Sequence, residues 1–166
     1  MKIAIISDSH DNIPNIEKAL KWINKEDIKT IIHCGDIFNK DSVIFIAENF
    51  DGQCCFLIST EDAYYLHDID DLKKNNNLHF YDNYGQIKIA GSHIGFTHYP
   101  EYIYQLAKEK LDYILYGHTH FPAEKIFDTT KIINPGNLAG IFCKATFAVL
   151  DTEKNVLELK ILERLN

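Results

Sequence analysis

Apolar runs typical of buried strands alternate with apolar helical faces in the first half of the chain. The run at 2–7 is apolar and rich in β-branched residues, which predicts a buried strand. Pro14 then stands at the start of a segment whose apolar residues recur every three or four positions, which predicts a helix. Two further strands are predicted at 30–33 and 53–58, with a helix that opens at Asp41 between them. This alternation is typical of parallel β-α-β units.

The second half of the chain carries more strand patterns than helix patterns. A mostly polar helical stretch is predicted at 62–74, and a helix with one apolar face begins at about Glu101. Runs at 86–90 and 93–97 are joined through a Gly-Ser pair, which predicts a hairpin. Further short strands are predicted at 113–116, 121–127, 131–133, 145–150 and 156–162. Two packed sheets covered by helices would accommodate parallel units followed by antiparallel strands.

The composition fits one domain, 1–166, of ordinary globular type. The chain has 166 residues, of which 46% are hydrophobic and 25% are charged, and this length suits a sizeable core. No apolar run approaches the roughly 20 residues that span a bilayer. The N-terminal run has neither the apolar length nor the cleavage site of a signal peptide. We therefore predict a cytoplasmic protein without a membrane partner.

The charge balance restricts the classes of partner. The formal net charge is −7, and the only arginine is Arg164. Proteins that bind nucleic acid through its backbone usually present a basic face, and no cluster of lysine and arginine occurs in this sequence. A nucleic-acid partner is therefore not expected. A phosphate group bound by this chain would have to be held by metal ions, lysines or backbone amides.

Five short motifs follow predicted strands, where the loops of α/β sheets gather functional side chains. They are Asp8-Ser9-His10, Gly35-Asp36, Thr97-His98, Gly117-His118-Thr119-His120 and Asn134-Pro135-Gly136-Asn137. Histidine nitrogens together with carboxylate oxygens suit Mn, Fe, Ni and Zn. Two ions about 3.5–4 Å apart share a bridging ligand, and Asp36 at a strand end is a natural bridge. Each motif alone is a weak signal, but five in this order favour a metal centre.

The ordered set resembles the calcineurin-like metallophosphoesterase superfamily, and in particular its small single-domain prokaryotic phosphodiesterases. The resemblance runs from Met1 to about Asp151. It implies an α/β fold of four layers, an α/β/β/α sandwich with two mixed β-sheets. It also implies one metal ion on Asp8, His10, Asp36 and His120, and a second on Asp36, an asparagine, His98 and His118. A hydroxide bridging the two ions would attack phosphorus in line.

The asparagine motif of the family, G-N-[HC]-D, is replaced in this chain. After the strand at 53–58 the sequence reads Ser59-Thr60-Glu61-Asp62, so that Thr60 takes the place of the metal-binding asparagine. A hydroxyl is a poorer ligand for a divalent ion than an amide oxygen, and we expect the second ion to bind more weakly. Two interpretations of Glu61 stand: an extra carboxylate that reaches the ion, or a solvated loop residue. The catalytic candidates are His10, Asp36 and Glu61.

A second departure follows His98, where the family often has H-G-H and this chain has Tyr99 and Pro100. These two residues either narrow the pocket or open the next helix, and proline at a helix start favours the second interpretation.

The resemblance implies a hydrolase that uses two divalent metal ions, with manganese as the predicted metal and Ni, Fe or Zn as alternatives. Its substrate is predicted to be a small phosphate ester, and a phosphodiester more than a monoester, because the chain lacks an arginine clamp for a dianion. The alternative is a weakly active or inactive protein-interaction scaffold, as in the retromer subunit of this family. The replaced asparagine motif favours the scaffold, and the six retained ligands favour the enzyme. Small family members commonly self-associate, so a homo-oligomer is compatible with the resemblance.

Overall fold

Two mixed β-sheets form the framework of the computed structural model, which describes residues 1–66 and 69–165. Their strands, in chain order, are β1 (Lys2–Ile6), β2 (Thr30–His33), β3 (Gln53–Ile58), β4 (Leu78–Asp82), β5 (Tyr84–Ile89), β6 (Ser92–Thr97), β7 (Tyr113–Leu115), β8 (Ala123–Phe127), β9 (Thr130–Asn134), β10 (Thr146–Asp151) and β11 (Val156–Ile161). The first sheet has the order β11-β10-β1-β2-β3-β4, and the second has the order β5-β6-β7-β9-β8.

Each sheet contains both parallel and antiparallel strand pairs. Strands β1 to β4 run parallel to one another, whereas β10 and β11 add antiparallel strands beside β1. In the second sheet β6, β7 and β9 are parallel, and β5 and β8 are antiparallel edges. The prediction of parallel units followed by antiparallel strands is therefore confirmed. The loops after β1, β2, β3, β6 and β7 lie at the carboxyl ends of parallel strands, which is where the functional sites of α/β folds are found.

In the part of the chain that the structure describes, four α-helices cover the sheets: α1 (Ile13–Lys25), α2 (Lys40–Asn49), α3 (Thr60–Tyr65) and α4 (Ile103–Leu106). Asn12 caps α1, because its side chain accepts a hydrogen bond from the backbone N–H of Asn15. The apolar face of α1 is buried through Ile16, Leu20 and their neighbours. Within the described ranges no helix is long and apolar enough to cross a bilayer, and the longest has 13 residues.

Three groups of buried side chains define the layers. One group, which includes Leu20 of α1, Val43 of α2 and Phe56 of β3, fills the space between these two helices and the outer face of the first sheet. A second group, which includes Ile5 from β1 and Phe96 from β6, lies between the two sheets. The third places Leu106 of α4 against Ile114 on the outer face of the second sheet. The α/β/β/α sandwich is therefore confirmed.

Several local predictions were wrong. In place of a helix at 62–74, α3 ends at Tyr65 and a 3-10 turn occupies Leu72–Lys74, where the side chain of Asp71 accepts a hydrogen bond from the N–H of Leu72 and starts a separate turn. His67 and Asp68 within the predicted helix lie outside the described residues. Strand β4 was missed, since its short sequence becomes a strand only through pairing with β3. The helix predicted from Glu101 is a 3-10 turn followed by the four residues of α4.

One helix start was also displaced. The helix predicted to open at Asp41 begins at Lys40, and its cap is Asn39, whose side chain accepts a hydrogen bond from the backbone N–H of Asp41. Asp41 instead lies in the first turn, where its negative charge is favourable beside the helix N-terminus.

Candidate metal centre

Four of the predicted ligands meet at one point. Each of Asp8, His10, Asp36 and His120 offers a ligand atom, and these atoms all lie within 4.8 Å of one another. Nε2 of His120 lies 3.2 Å from Oδ1 of Asp8 and 3.3 Å from Nε2 of His10. The set combines two carboxylates with two imidazoles, which is a donor set for a divalent transition metal.

Asp36 belongs to a second group of ligand atoms as well. Its Oδ2 lies 3.6 Å from Nε2 of His10, whereas its Oδ1 lies 3.2 Å from Nε2 of His98. The ring of His118 is exposed and lies 5.1 Å, between centroids, from the ring of His98. Asp36 therefore stands between the two predicted metal positions with one oxygen toward each.

Two buried polar atoms without a hydrogen-bond partner indicate whether the second predicted position fits a metal ion. Among the described residues, Oδ1 of Asp36 and Nε2 of His98 are buried and have no hydrogen-bond partner. Nδ1 of His98 donates to the carbonyl oxygen of Cys34 at 2.8 Å, so its Nε2 is an acceptor that faces a carboxylate oxygen. Two buried acceptors aimed at each other are unfavourable unless a proton or a metal cation lies between them. The residues present therefore fit a divalent ion.

The backbone at the ligands adopts an uncommon conformation. Five predicted ligands have left-handed φ values: Asp8 (52°), His10 (42°), Asp36 (59°), His118 (67°) and His120 (62°). Such values are unfavourable for residues other than glycine, and they cluster at functional sites. The backbone beside the ligands is also closely packed, since a Cβ at Gly117 would collide with the hydroxyl of Ser7 and one at Gly35 would lie 2.7 Å from Nδ1 of His98.

Asp62 supports the site and was not among the candidates from sequence. Its side chain is fully buried, and its carboxylate accepts hydrogen bonds from the backbone N–H groups of Asp36 (3.1 Å), Ile37 (3.0 Å) and Ser59 (2.8 Å). It also closes a capping box with Ser59 at the start of α3. Asp62 thus fixes the loop that presents Asp36. The only signal in the sequence was that the final aspartate of the altered motif is retained.

The loop with the two histidines at 118 and 120 is held by asparagines of the last predicted motif. Nδ2 of Asn134 donates to the carbonyl oxygen of Gly117 at 2.9 Å and to the hydroxyl of Thr119 at 3.1 Å. Nδ2 of Asn137 donates to the carbonyl oxygen of His120 at 3.2 Å. These side chains position the ligand loop through its backbone.

The two residues that replace the asparagine motif lie at the edge of the site. The hydroxyl of Thr60 is exposed and donates to Oδ1 of Asn83 at 3.2 Å. Glu61 is exposed in the first turn of α3, and its charge acts on the pKa values of His10 and Asp36. The structure gives Thr60 a partner outside the ligand set, and the roles of Thr60 and Glu61 toward metal stay predictions.

Tyr99 packs directly on two predicted ligands. Its ring centroid lies 4.7 Å from that of His98 and 5.0 Å from that of His118. Burial raises the pKa of its hydroxyl, and Ser59 hydrogen-bonds with it. Pro100 begins a 3-10 turn. Pro100 therefore opens a helical turn, as one interpretation of this segment expects, and the narrowing of the pocket by Tyr99 stays a prediction.

Burial disfavours the charged forms of the site residues. It raises the pKa of Asp8 to about 7 and that of Asp36 to about 8, the latter also through repulsion by Asp8. It lowers the pKa of His98 to about 4 and that of His33 to about 3. Neutral imidazoles are ready to bind a metal ion, and the two aspartates become carboxylates when a cation replaces their protons.

These shifts predict how the metal-free protein responds to pH. In the window above the ordinary carboxyl pKa of 3.8 and below the raised values of Asp8 and Asp36, the folded state binds more protons than the unfolded state. Stability conferred by these groups is therefore lost as pH rises. His33 and His98, with lowered pKa values, act in the opposite direction, but only below their ordinary value of 6.5.

We therefore expect the metal-free protein to lose about 1–2 kcal/mol of stability between about pH 6.5 and 8. Thermal unfolding with a chelator present, followed by calorimetry across this range, measures the change. Saturating Mn²⁺ should reverse it, because cations bind the deprotonated carboxylates. A Tm that rises with pH in the chelated protein would contradict the assignment.

Comparisons with known proteins agree with this geometry. The family model described as "Calcineurin-like phosphoesterase superfamily domain" matches residues 1–155. Phosphodiesterase MJ0936 of Methanocaldococcus jannaschii is 32% identical over 170 residues, which cover 98% of this chain and 100% of the relative.

Solved structures show the same fold. A structure described as a novel archaeal phosphodiesterase is 30% identical, with a TM-score of 0.85, and the match covers 97% of this chain and 99% of that one. YfcE, a phosphoesterase from E. coli, is 18% identical with a TM-score of 0.67 over 98% of this chain and 100% of its own. Vps29 from Entamoeba histolytica, solved with zinc, is 16% identical with a TM-score of 0.65, over 96% and 97% of the two chains. The last two likenesses concern the fold alone.

Proposed function

This chain belongs to the calcineurin-like phosphoesterase superfamily and is a phosphoric ester hydrolase, and we propose that it is a phosphodiesterase that works with two divalent metal ions. The observation that carries the proposal is the position of Asp36, whose two oxygens face His10 on one side and His98 on the other. Relatedness to an archaeal phosphodiesterase along nearly the whole chain supports the choice of substrate class.

The ligands divide into two sets around Asp36. Asp8, His10 and His120 would hold the first ion together with Asp36, and His98 and His118 would hold the second. When bound, the two ions would supply an activated water and neutralise charge on the phosphoryl group. Manganese is the metal we propose first, with Ni, Fe or Zn as alternatives, because imidazole and carboxylate ligands suit all four.

The chain's own residues orient these ligands. The bond from Nδ1 of His98 to the carbonyl of Cys34 fixes the ring so that Nε2 points at Asp36. The backbone N–H of His118 donates to both oxygens of Asp8, at 3.1 Å and 3.2 Å, which holds that carboxylate toward His120. Glu61 is proposed as an additional carboxylate at the rim. A preorganised set of this kind stabilises developing charge without reorganisation.

A small diester suits the site better than a monoester. The only arginine, Arg164, lies in the 3-10 turn after β11, on a segment that carries none of the ligands. A monoester dianion is bound most effectively by the arginine fork, whereas a diester has one negative charge. The metal ions alone could balance the single negative charge of a diester.

The scaffold alternative is not favoured. The feature that supported it was the replaced asparagine motif, yet four of the six remaining ligands lie together and two buried ligand atoms lack a protein partner among the described residues. A pure interaction scaffold has no need of such atoms, because unsatisfied buried polar groups destabilise the fold.

Hydrolysis of activated esters tests the proposed function. Purified protein loaded with Mn²⁺ is expected to hydrolyse bis(para-nitrophenyl) phosphate at least about tenfold faster, in kcat/KM, than para-nitrophenyl phosphate, a margin of about 1.4 kcal/mol. Release of nitrophenolate measures both rates, and the chelated protein is the control. Equal rates, or a faster monoester, would reject the diester preference; no turnover with Mn, Ni, Fe or Zn would reject the enzyme.

A further inference from the structure

Aromatic rings surround the ligand histidines. Phe38 packs edge-on against His10 with 5.4 Å between ring centroids, and Tyr99 packs on His98 at 4.7 Å. Phe142 lies over His120 with ring planes inclined by only 27° and centroids 6.3 Å apart. We call Phe38, Tyr99 and Phe142 the aromatic rim.

Phe142 differs from the other two rings in its exposure. Its relative accessibility is 92%, the highest among the large hydrophobic side chains found exposed in the described chain. Its backbone φ is 63°, a left-handed value that a bulky side chain rarely adopts. Neither feature helps the isolated chain to fold, because the ring gains little burial and the backbone is strained. An outlier of this kind beside a catalytic centre points to a role in function.

The loop holds Phe142 in this position from both sides. The side chain of Asn137, itself fully buried, accepts a hydrogen bond from the N–H of Ile141 at 2.8 Å and donates to its carbonyl oxygen at 3.3 Å. It also donates to the sulfur of Cys143 at 3.0 Å, and that thiol donates to the carbonyl of His120 at 3.2 Å. The residues before and after Phe142 are therefore tied through Asn137 and Cys143 to the ligand loop, so the backbone that carries the ring is held in place.

We propose that Phe142 is a stacking platform for a nucleobase, and that the substrate of the site is a small nucleotide diester. The inference rests on the proposed function, since the metal centre would hold the phosphate while the base lies on the exposed face of Phe142. Every nucleobase has a planar π-face, and aromatic side chains bind bases by stacking. Stacking needs no cation, which suits an acidic chain with a single arginine. It also costs little conformational entropy when the ring is already fixed.

Ligand binding without turnover tests the platform separately from catalysis. Calorimetry on the Mn²⁺-loaded protein compares adenosine monophosphate with methyl phosphate, which share the phosphate and differ in the nucleoside. We expect the nucleotide to bind at least about tenfold more tightly, and Phe142→Ala to remove most of that advantage, since stacking contributes roughly 5- to 100-fold per base. Methyl phosphate should bind the variant as it binds the native protein. Phe127→Ala is the matched control, because that phenylalanine is 51% exposed and lies on β8, a strand that carries none of the predicted ligands.

A second variant gives a spectroscopic readout. Phe142→Trp keeps a flat ring at the same place, and adenosine monophosphate should quench the fluorescence of the introduced indole, whereas methyl phosphate should not. The native Trp22 packs on Phe147 and provides the background signal.

Three results would overturn the platform: equal affinities of the two phosphates for native protein, an unchanged ratio in Phe142→Ala, or a change of oligomeric mass in that variant by light scattering. The last would make the ring part of a contact between copies of the chain. Failure of bis(para-nitrophenyl) phosphate hydrolysis, in contrast, would count against the proposed function and leave the binding ratio measurable.

Discussion

Asp36→Asn is expected to remove both metal ions and to lower kcat/KM for bis(para-nitrophenyl) phosphate by at least about 10³-fold, because bound metal supplies several kcal/mol of transition-state stabilisation. The carboxylate is the ligand that both positions share, with one oxygen 3.6 Å from Nε2 of His10 and the other 3.2 Å from Nε2 of His98. An amide has no negative charge and presents an N–H₂ donor on one side, so it cannot bridge two cations.

The variant should nevertheless fold. Burial raises the pKa of Asp36 to about 8, which means that its negative charge is unfavourable in the metal-free protein near neutral pH. Asparagine removes that charge, so the unfolding temperature of the chelated variant should equal or exceed that of the chelated native protein. Loss of activity can then be assigned to lost metal.

Calorimetric titration with Mn²⁺ and metal analysis measure the result. The native protein should give two unequal steps, with the weaker assigned to His98 and His118, because Thr60 replaces an amide ligand. Asp27→Asn is the control: the side chain of Asp27 is 83% exposed, pairs with Lys29 and precedes β2, whereas Asp36 follows that strand. If Asp36→Asn kept two ions at full occupancy, the bridge would be assigned to the wrong residue.

Asp62→Asn is expected to lower the free energy of unfolding by about 2–4 kcal/mol, because hydrogen bonds to a buried charged group contribute more than neutral ones. The buried carboxylate accepts three backbone N–H bonds, from Asp36, Ile37 and Ser59. An asparagine can accept with only one of its two side-chain atoms, and its N–H₂ group would face at least one backbone N–H. The same change should weaken Mn²⁺ binding about 10- to 100-fold, as is typical when a residue that orients a ligand is lost.

Urea denaturation of the chelated protein isolates the effect on folding, and titration with Mn²⁺ measures the effect on the site. Asp82→Asn serves as the control, since Asp82 lies at the exposed end of β4. A loss below about 0.5 kcal/mol, the usual range of surface substitutions, would show that Asp62 does not support the loop of Asp36.

The sequence by itself determined the framework of the protein. Buried strands such as β1 and β2 can be predicted from the sequence, because a short continuous apolar run is typical of a strand that is buried on both faces. The order of the motifs with Asp8, Asp36, His98 and His120 identified the family, since ligand types at strand ends are local features of the chain. The same reasoning marked the altered motif at Thr60 as the place where this chain differs from its relatives.

Helix and strand limits in the middle of the chain were decided by tertiary structure. β4 has a weak pattern of its own and becomes a strand because β3 offers it a parallel partner. The stretch after Asp62 is predicted as one helix, but the packing of Leu66, Ile69 and Leu72 against the core is achieved with a short helix and a separate 3-10 turn, since tertiary packing decides helix limits more than propensity does.

The hydrogen bonds that hold the ligands in place could not be predicted from the sequence, because they join positions that are far apart in the chain. Nδ1 of His98 meets the carbonyl of Cys34 across 64 positions, and Asp62 meets the backbone of Asp36 across 26. Nothing near Phe142 in the chain indicates that its ring lies over His120. The sequence thus identified candidate metal-binding side chains, whereas only the packing of two sheets decided which of them lie together, which are held in place and what surrounds them.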